Sequence, residues 1–383
     1  MILPRRQFLK FAAAGTGSIL VAPHMALAAA ATNRRFVFII QRGAADGLHT
    51  VIPYADPDYQ RLRGQIAVDP ATAIKLDGHF ALHPVMVEIG KMYMSGQAIF
   101  VHATASPYRE RSHFDGQNVL ETGGTVPYAV NDGWMNRLVA LLPRQKDEAI
   151  AFATTIPVAL RGPAEVASYA PSGLPEASDD LLARVGRMYQ GDQQLHALWD
   201  EALATRGMGS GQRAGQDPAK LGKLAASFLV HPDGPRIAML ETGGWDTHTG
   251  QQGRLTQQFK ALDVMIASLR DGLGPVWSDT VVLVATEFGR TAAVNGTGGT
   301  DHGTASVAML FGGGLKGGRV IADWPGLSQT ALYEMRDLKP TIGLDSVISG
   351  LAAESFGMDP ARTTRALFPT VPPGRPLEGL FRV

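Results

Sequence analysis

Two pairs of residues have the types and spacing that metal chemistry needs. Asp246 and His248 lie two apart in Gly243-Gly244-Trp245-Asp246-Thr247-His248-Thr249-Gly250, and Asp301-His302-Gly303 follows a glycine-rich loop. An acid and an imidazole so spaced can both turn toward one ion. A third ligand from a neighbouring loop would complete an N/O site suited to zinc or a similar divalent metal. Two further carboxylates are candidates for a second ion: Asp46 in Arg42-Gly43-Ala44-Ala45-Asp46-Gly47, and Glu287 in Thr286-Glu287-Phe288-Gly289-Arg290-Thr291. Ser112, in Arg109-Glu110-Arg111-Ser112-His113-Phe114-Asp115, precedes an apolar helical run. A hydroxyl at a helix N-terminus beside arginines is placed to hold or attack an anionic ester.

Ordinary structural roles compete with each of these. Serine at such a position is more often a helix cap than a nucleophile. Asp46-Gly47 is common turn chemistry. Asp246 and His248 would also serve to stitch a loop, although the flanking glycines and Trp245 favour a site. Glu287 directly follows an apolar run, where a buried carboxylate must be paired or metal-bound, and Arg290 is the nearby salt-bridge partner. His113 is either a ligand or a packing residue, and His83 belongs to a helix start.

Stepping outward from these loops, each follows or precedes a short apolar run. Segments 36–40 (FVFII), 98–102, 150–154, 236–240, 280–285 (TVVLVA) and 306–311 are rich in β-branched and aromatic residues and read as buried strands. Between them, 82–95, 112–121, 132–142 and 255–273 carry helical spacing. The last places Leu255, Phe259, Leu262, Ile266 and Leu269 on one stripe. Continuous apolar strands alternating with helices predict an α/β fold: a doubly wound, mostly parallel sheet with helices on both faces. Ligands of such folds bind beyond the carboxyl ends of the strands, where these polar clusters fall. A polar stretch near 179–216 reads as a helical excursion within a single domain of residues 29–383. The proline-rich tail from Pro369 is expected to lie extended on the surface.

The first 28 residues read as an export signal. A basic start with Arg5, Arg6 and Lys10 leads into an apolar stretch, and Ala26-Leu27-Ala28 offers a cleavage site. The stretch is broken by Pro23 and His24 and is too short for a stable membrane anchor, which needs about 20 apolar residues. Arg5-Arg6-Gln7-Phe8-Leu9-Lys10 resembles the twin-arginine consensus, with Pro4 where serine or threonine is usual. The expected partner in transit is the twin-arginine translocase, and the expected location is periplasmic or secreted. Cleavage would leave 32 basic against 35 acidic side chains, a balance that offers nothing to nucleic acid or anionic lipid. With no cysteine, stability must come from the core, as suits a chain that folds in a reducing compartment before export.

Six ordered motifs, RGxxDGL, LHPxMxxI, RSHFDGQ, GGWDTH, TEFGRT and DHG, resemble the bacterial family known as domain of unknown function 1501, typically exported by the twin-arginine route. That family is similar to the alkaline phosphatase and sulfatase superfamily, with its doubly wound fold and two-metal site. The resemblance implies that Asp46 matches the metal-binding acid after the first strand and that Ser112 sits near the nucleophile. It implies that Asp246, His248 and His302 share one metal, and that Glu287 begins what is normally an Asp-His dipeptide. Phe288 stands in place of that His and removes a ligand from the second metal. The expectation is an exported hydrolase of a phosphate or sulfate ester, holding one or two divalent ions (zinc foremost, manganese or calcium otherwise). Ser112 or a metal-bound water would attack, and Arg42, Arg111 and Arg290 would bind the anion. The alternative is a degenerate relative that binds a small anionic ester, a glycan or an envelope partner without turnover.

Overall fold

The computed structural model describes residues 33–143, 148–170, 217–372 and 374–382, with isolated positions between 185 and 199. The expected signal at 1–28 lies outside the described residues, and so does the excursion near 179–216 apart from those isolated positions.

Strand β1 (Arg35–Gln41) leads through a one-turn helix α1 (Gly47–Thr50) into a small antiparallel sheet of β2 (Val51–Ile52), β3 (Ile74–Lys75) and β4 (Ala81–Leu82). Helix α2 (Tyr59–Arg63) lies between β2 and β3. Then come α3 (Val87–Met94), β5 (Ala98–Ala105), α4 (His113–Thr122), α5 (Trp134–Leu141), β6 (Ala149–Ala151) and β7 (Ala167–Ser168). The second half runs α6 (Pro218–Val230), β8 (Ile237–Thr242), α7 (Gln251–Leu273), β9 (Thr280–Thr286), β10 (Ser306–Phe311), β11 (Arg319–Ile321), β12 (Ile342–Gly343), α8 (Leu344–Phe356) and α9 (Pro360–Leu367).

The main sheet has the order β11-β5-β10-β9-β1-β8-β6-β7, with β12 beside β5. β1 pairs in parallel with β8 and β9, β6 with β8 and β7, and β11 and β12 with β5. β10 is antiparallel to both its neighbours and is the one strand of this sheet that runs the other way. The fold is α/β, with both faces of the sheet covered. Alternation along the central strands shows how. Val37, Ile39, Val282 and Val284 face a core built with α3, α6 and α7, whereas Phe36, Phe38, Ile40, Val281 and Leu283 face a second core built with α5, α8 and α9. Side chains of a strand point alternately to the two faces, so burial on both sides demands an unbroken apolar run. The predicted stripe of α7 is buried throughout, from Leu255 to Leu269. Truncating one of those leucines to alanine would cost about 2–5 kcal/mol.

Two local readings differ from expectation. The helix predicted from residue 82 begins only at Val87, because Ala81 and Leu82 pair with the small sheet and His83, preceding Pro84, is steered away from helix. The tail does not simply lie on the surface: Leu380 is fully buried, and Glu354 accepts from the backbone N–H groups of Gly379, Leu380 and Phe381. Among the described residues, no helix is long and apolar enough to cross a membrane.

His102, on β5, is fully buried. Its Nε2 donates to the Val51 carbonyl at 2.8 Å, and its Nδ1 accepts from Ala103 N–H at 2.8 Å. Burial pushes its pKa down to about 4. The unfolded chain therefore takes up this proton first, and stability is present above about pH 6.5 and is lost as pH falls toward the folded value. We expect His102 to contribute about 2–3 kcal/mol of destabilisation between about pH 7 and pH 4.5. Urea denaturation at both values checks this, and His102→Asn should reduce the dependence by that share while the buried His49 and His83 keep theirs.

Candidate metal centre

Because β1, β5, β8 and β9 run one way and β10 the other, the carboxyl ends of the first four meet the amino start of β10 at one edge of the sheet. The segments that leave or arrive there carry Asp46, His113, Asp246, Glu287 and His302.

Asp246 is the hub. Its Oδ1 lies 2.6 Å from Arg290 Nη1, 3.0 Å from His248 Nε2 and 3.3 Å from His302 Nε2, and its Oδ2 lies 3.4 Å from His113 Nε2. His248 Nε2 and His302 Nε2 are 3.0 Å apart. One ligand atom each from His113, Asp246 and His302 falls within 4.8 Å of the others, and His248 borders this group by touching Asp246 and His302. Asp246 is 43% exposed, so the cluster is open to solvent on one side.

The other nitrogen of each imidazole fixes its tautomer. His302 Nδ1 is 2.9 Å from the Arg111 carbonyl, His248 Nδ1 is 3.1 Å from Asp301 Oδ1, and His113 Nδ1 is 2.9 Å from Glu287 Oε1. A carbonyl and two carboxylates only accept, so all three Nδ1 atoms carry a proton and all three Nε2 atoms, the nitrogens left to serve as ligands in a neutral ring, face Asp246. His113 Nε2 is buried and has no hydrogen-bond partner. Three imidazole nitrogens and a carboxylate thus converge, an arrangement that a cation among them would satisfy. Ligands about 2.0–2.1 Å from one tetrahedral ion stand about 3.3 Å apart. The separations to Asp246 and between His248 and His302, 3.0–3.4 Å, match that spacing, and the group whose ligand atoms all lie within 4.8 Å of one another is His113, Asp246 and His302. The donor set fits a divalent metal, and the acceptors behind each imidazole are the partners that such ligands use.

Charge follows this geometry. Burial works against Asp246, but the Arg290 guanidinium and the imidazoles hold it below the usual carboxylate range. Glu287 is buried, yet its hydrogen bonds from His113 and Gln117 keep it ionised and its pKa low. Burial lowers His302, while the hydrogen bond to Glu287 raises His113.

The remaining predicted residues are placed differently. Asp46 is buried and caps α1. Its oxygens accept from Arg63, from Gln251 Nε2 at 2.6 Å and from His49 N–H at 3.2 Å. Glu287 Oε1 accepts from Gly43 N–H at 2.8 Å, besides His113 and Gln117. Arg42 is paired with Glu121 at 2.8 Å and Glu241 at 2.5 Å, and Arg111 with Glu334 at 2.5 Å and Asp337 at 2.9 Å. Arg290 is wholly buried between Asp246 and Thr300. Ser112 is the N-cap residue of α4 but makes no side-chain cap bond, which leaves its hydroxyl uncommitted to the helix. Phe288 stacks on His113, with ring centroids 5.2 Å apart, and packs with Ala44, Tyr108 and Val119.

Two glycines let these loops approach. Gly43 has φ +117°, and a Cβ there would lie 2.7 Å from the backbone nitrogen of Asp246. At Gly289 a Cβ would meet the Ala305 carbonyl at 1.8 Å. We expect Gly43→Ala to destabilise the protein by about 2 kcal/mol or more, through strain and displacement of Asp246. Thermal unfolding measures it.

A family model described as a protein of unknown function (DUF1501) matches residues 33–367. No curated protein matches the sequence. Among solved structures, the chain is similar to the zinc complex of the C-terminal periplasmic domain of EcEptC from Escherichia coli. There the identity is 9% and the TM-score 0.40, with 89% of this chain and 88% of that one covered. It is similar to a 2-O GAG sulfatase at 9% identity and TM-score 0.40, covering 85% and 71%. It is also similar to alkaline phosphatase from the Antarctic bacterium TAB5 at 10% identity and TM-score 0.34, covering 76% and 95%. The chain belongs to the DUF1501 family.

Proposed function

We propose that the protein is an exported hydrolase of a phosphate or sulfate ester that works with one divalent metal ion, zinc foremost. The observation that carries this reading is the convergence of three imidazole Nε2 atoms on Asp246, each ring being fixed from behind by an acceptor on Nδ1. His113, Asp246, His248 and His302 would hold the ion. Asp46 and Glu287 would act in support, since their oxygens are engaged by Arg63, Gln251, Gly43, His113 and Gln117. When bound, such an ion supplies Lewis-acid polarisation of the ester oxygen.

The chain's own residues would do the rest. Ser112, between Arg111 and His113 and free of capping duty, would supply the attacking hydroxyl: its oxygen bonds the phosphorus or sulfur as the ester bond breaks, its proton goes to the departing alcohol, and water then cleaves the seryl ester to release phosphate or sulfate and restore the serine. Arg290 keeps Asp246 ionised and placed. A cleft of about 430 Å³ adjoins the cluster through Gln117, which both lines it and donates to Glu287. Lined also by Arg42, Phe114, Tyr128, Thr155 and Arg161, the cleft would take the organic part of the ester.

A second reading, binding without turnover, is favoured by one observation: all three arginines expected to bind the anion are already paired with carboxylates. Two experiments separate the readings. Elemental analysis of the mature protein, purified without a chelating tag, should find about one equivalent of metal, lost in the Asp246→Ala, His302→Ala double variant. Glu287→Gln should weaken metal binding about tenfold, by loosening His113. A broad ester panel should then give product that falls at least 100-fold in Ser112→Ala. Metal without turnover on any ester would favour the binding protein, and a metal-free, folded chain would end the metal reading.

A further inference from the structure

His302 is gripped at two points that share one buried acid. Its Nδ1 donates to the carbonyl of Arg111, whose backbone is held in the left-handed region at φ +60°. Its own carbonyl accepts from Arg336 Nη2. Behind both stands Asp337, which is fully buried. Asp337 Oδ2 accepts from Arg111 Nε at 3.0 Å and lies 2.9 Å from Arg111 Nη2, and its Oδ1 accepts from Arg336 Nε at 2.8 Å. One carboxylate therefore ties together the residue that orients the His302 ring and the residue that pins the His302 backbone.

The segment carrying Asp337 is built for this. Glu334 and Met335 take consecutive left-handed conformations, with φ 51° and 54°. That tight turn lets Tyr333 and Asp337 exchange two backbone hydrogen bonds, at 2.9 and 3.0 Å. The Arg336 carbonyl accepts from Ala292 N–H and the Leu338 carbonyl from Ala305 N–H, which lays the turn across both arms of the 290–305 excursion. Left-handed non-glycine residues are strained and persist where their surroundings over-determine them. Here three of them, Arg111, Glu334 and Met335, surround one acid.

We propose that Asp337 is the positioning residue of the metal centre, acting on His302 through Arg111 and Arg336. This rests on the metal reading given above. Arg111 thereby serves through its backbone carbonyl, while its side chain is spent on Asp337 and Glu334. Asp337 touches neither metal nor substrate. Its effect is to fix the direction of one lone pair.

The test is zinc affinity of the mature full-length protein, measured by competition with a chromophoric chelator. It uses the wild type, Asp337→Asn, His302→Ala and the double variant. Asp337→Asn should weaken zinc binding about tenfold, and the loss should vanish in the His302→Ala background, because the ring it positions is gone. A merely structural role would lower affinity equally in both backgrounds, and that result overturns the proposal. So does unchanged affinity in Asp337→Asn while the wild type binds zinc. A wild type that binds no zinc overturns the metal reading itself. If Asp337→Asn does not fold by circular dichroism, Arg336→Met, at a half-exposed side chain, replaces it with the same expected masking by His302→Ala.

Discussion

The carboxylate of Asp246 is the interaction on which the site depends. It stands one short loop beyond β8, half in solvent, and it collects a buried guanidinium and three imidazoles. Arg290 alone would make it an ordinary salt bridge. The imidazoles change its meaning, because each already has a proton committed to an acceptor behind it. Nitrogens and a carboxylate so placed favour positive charge among them, carried by protons on the imidazoles or, in the function proposed above, by a metal ion. The neighbouring carboxylates show the contrast. Asp46, with Arg63 and Gln251 on its oxygens, is a satisfied buried ion pair, and Glu287 is an acceptor for His113.

That hub can exist only because the sheet brings distant segments to one edge. Gly43 packs against the backbone of Asp246 while its N–H donates to Glu287, so the ends of β1, β8 and β9 are joined at a single glycine. Phe288 closes the floor by stacking on His113. Between the two, the imidazole of His113 is fixed in both plane and tautomer.

Much of this was legible in the sequence. The apolar runs at 36–40, 280–285 and 306–311 announced strands buried on both faces, and the polar clusters beyond them fell where such folds place ligands. Pairings were not legible. Nothing local links Asp46 to Arg63, or Arg42 to Glu121 and Glu241, since each pair forms through the fold rather than through spacing. In sequence His113 reads as well as a packing residue as a ligand, and the position of Glu287 behind it favours the second. Helix α8 shows no stripe in the sequence because it is buried nearly all round. Helix α6 did leave a sign, in Asp217 as a side-chain cap followed by Pro218 at the first turn. Asp337 carries no sequence signal at all.

The reversed direction of β10 sets when the centre can come into being. Four strands deliver their residues on leaving the edge, whereas His302 is delivered on arriving, after β9 has been laid down and the chain has turned back. In order of synthesis the clustered residues are His113, Asp246, His248 and His302, and Asp337, whose carboxylate holds Arg111 and Arg336 beside the last of them, follows later. A chain released before β10 would have the first strand, both cores begun and a partial ring of donors, yet no closed cage. Closing the cluster therefore requires the chain to have been made and folded well past β9, a dependence written into the strand order itself.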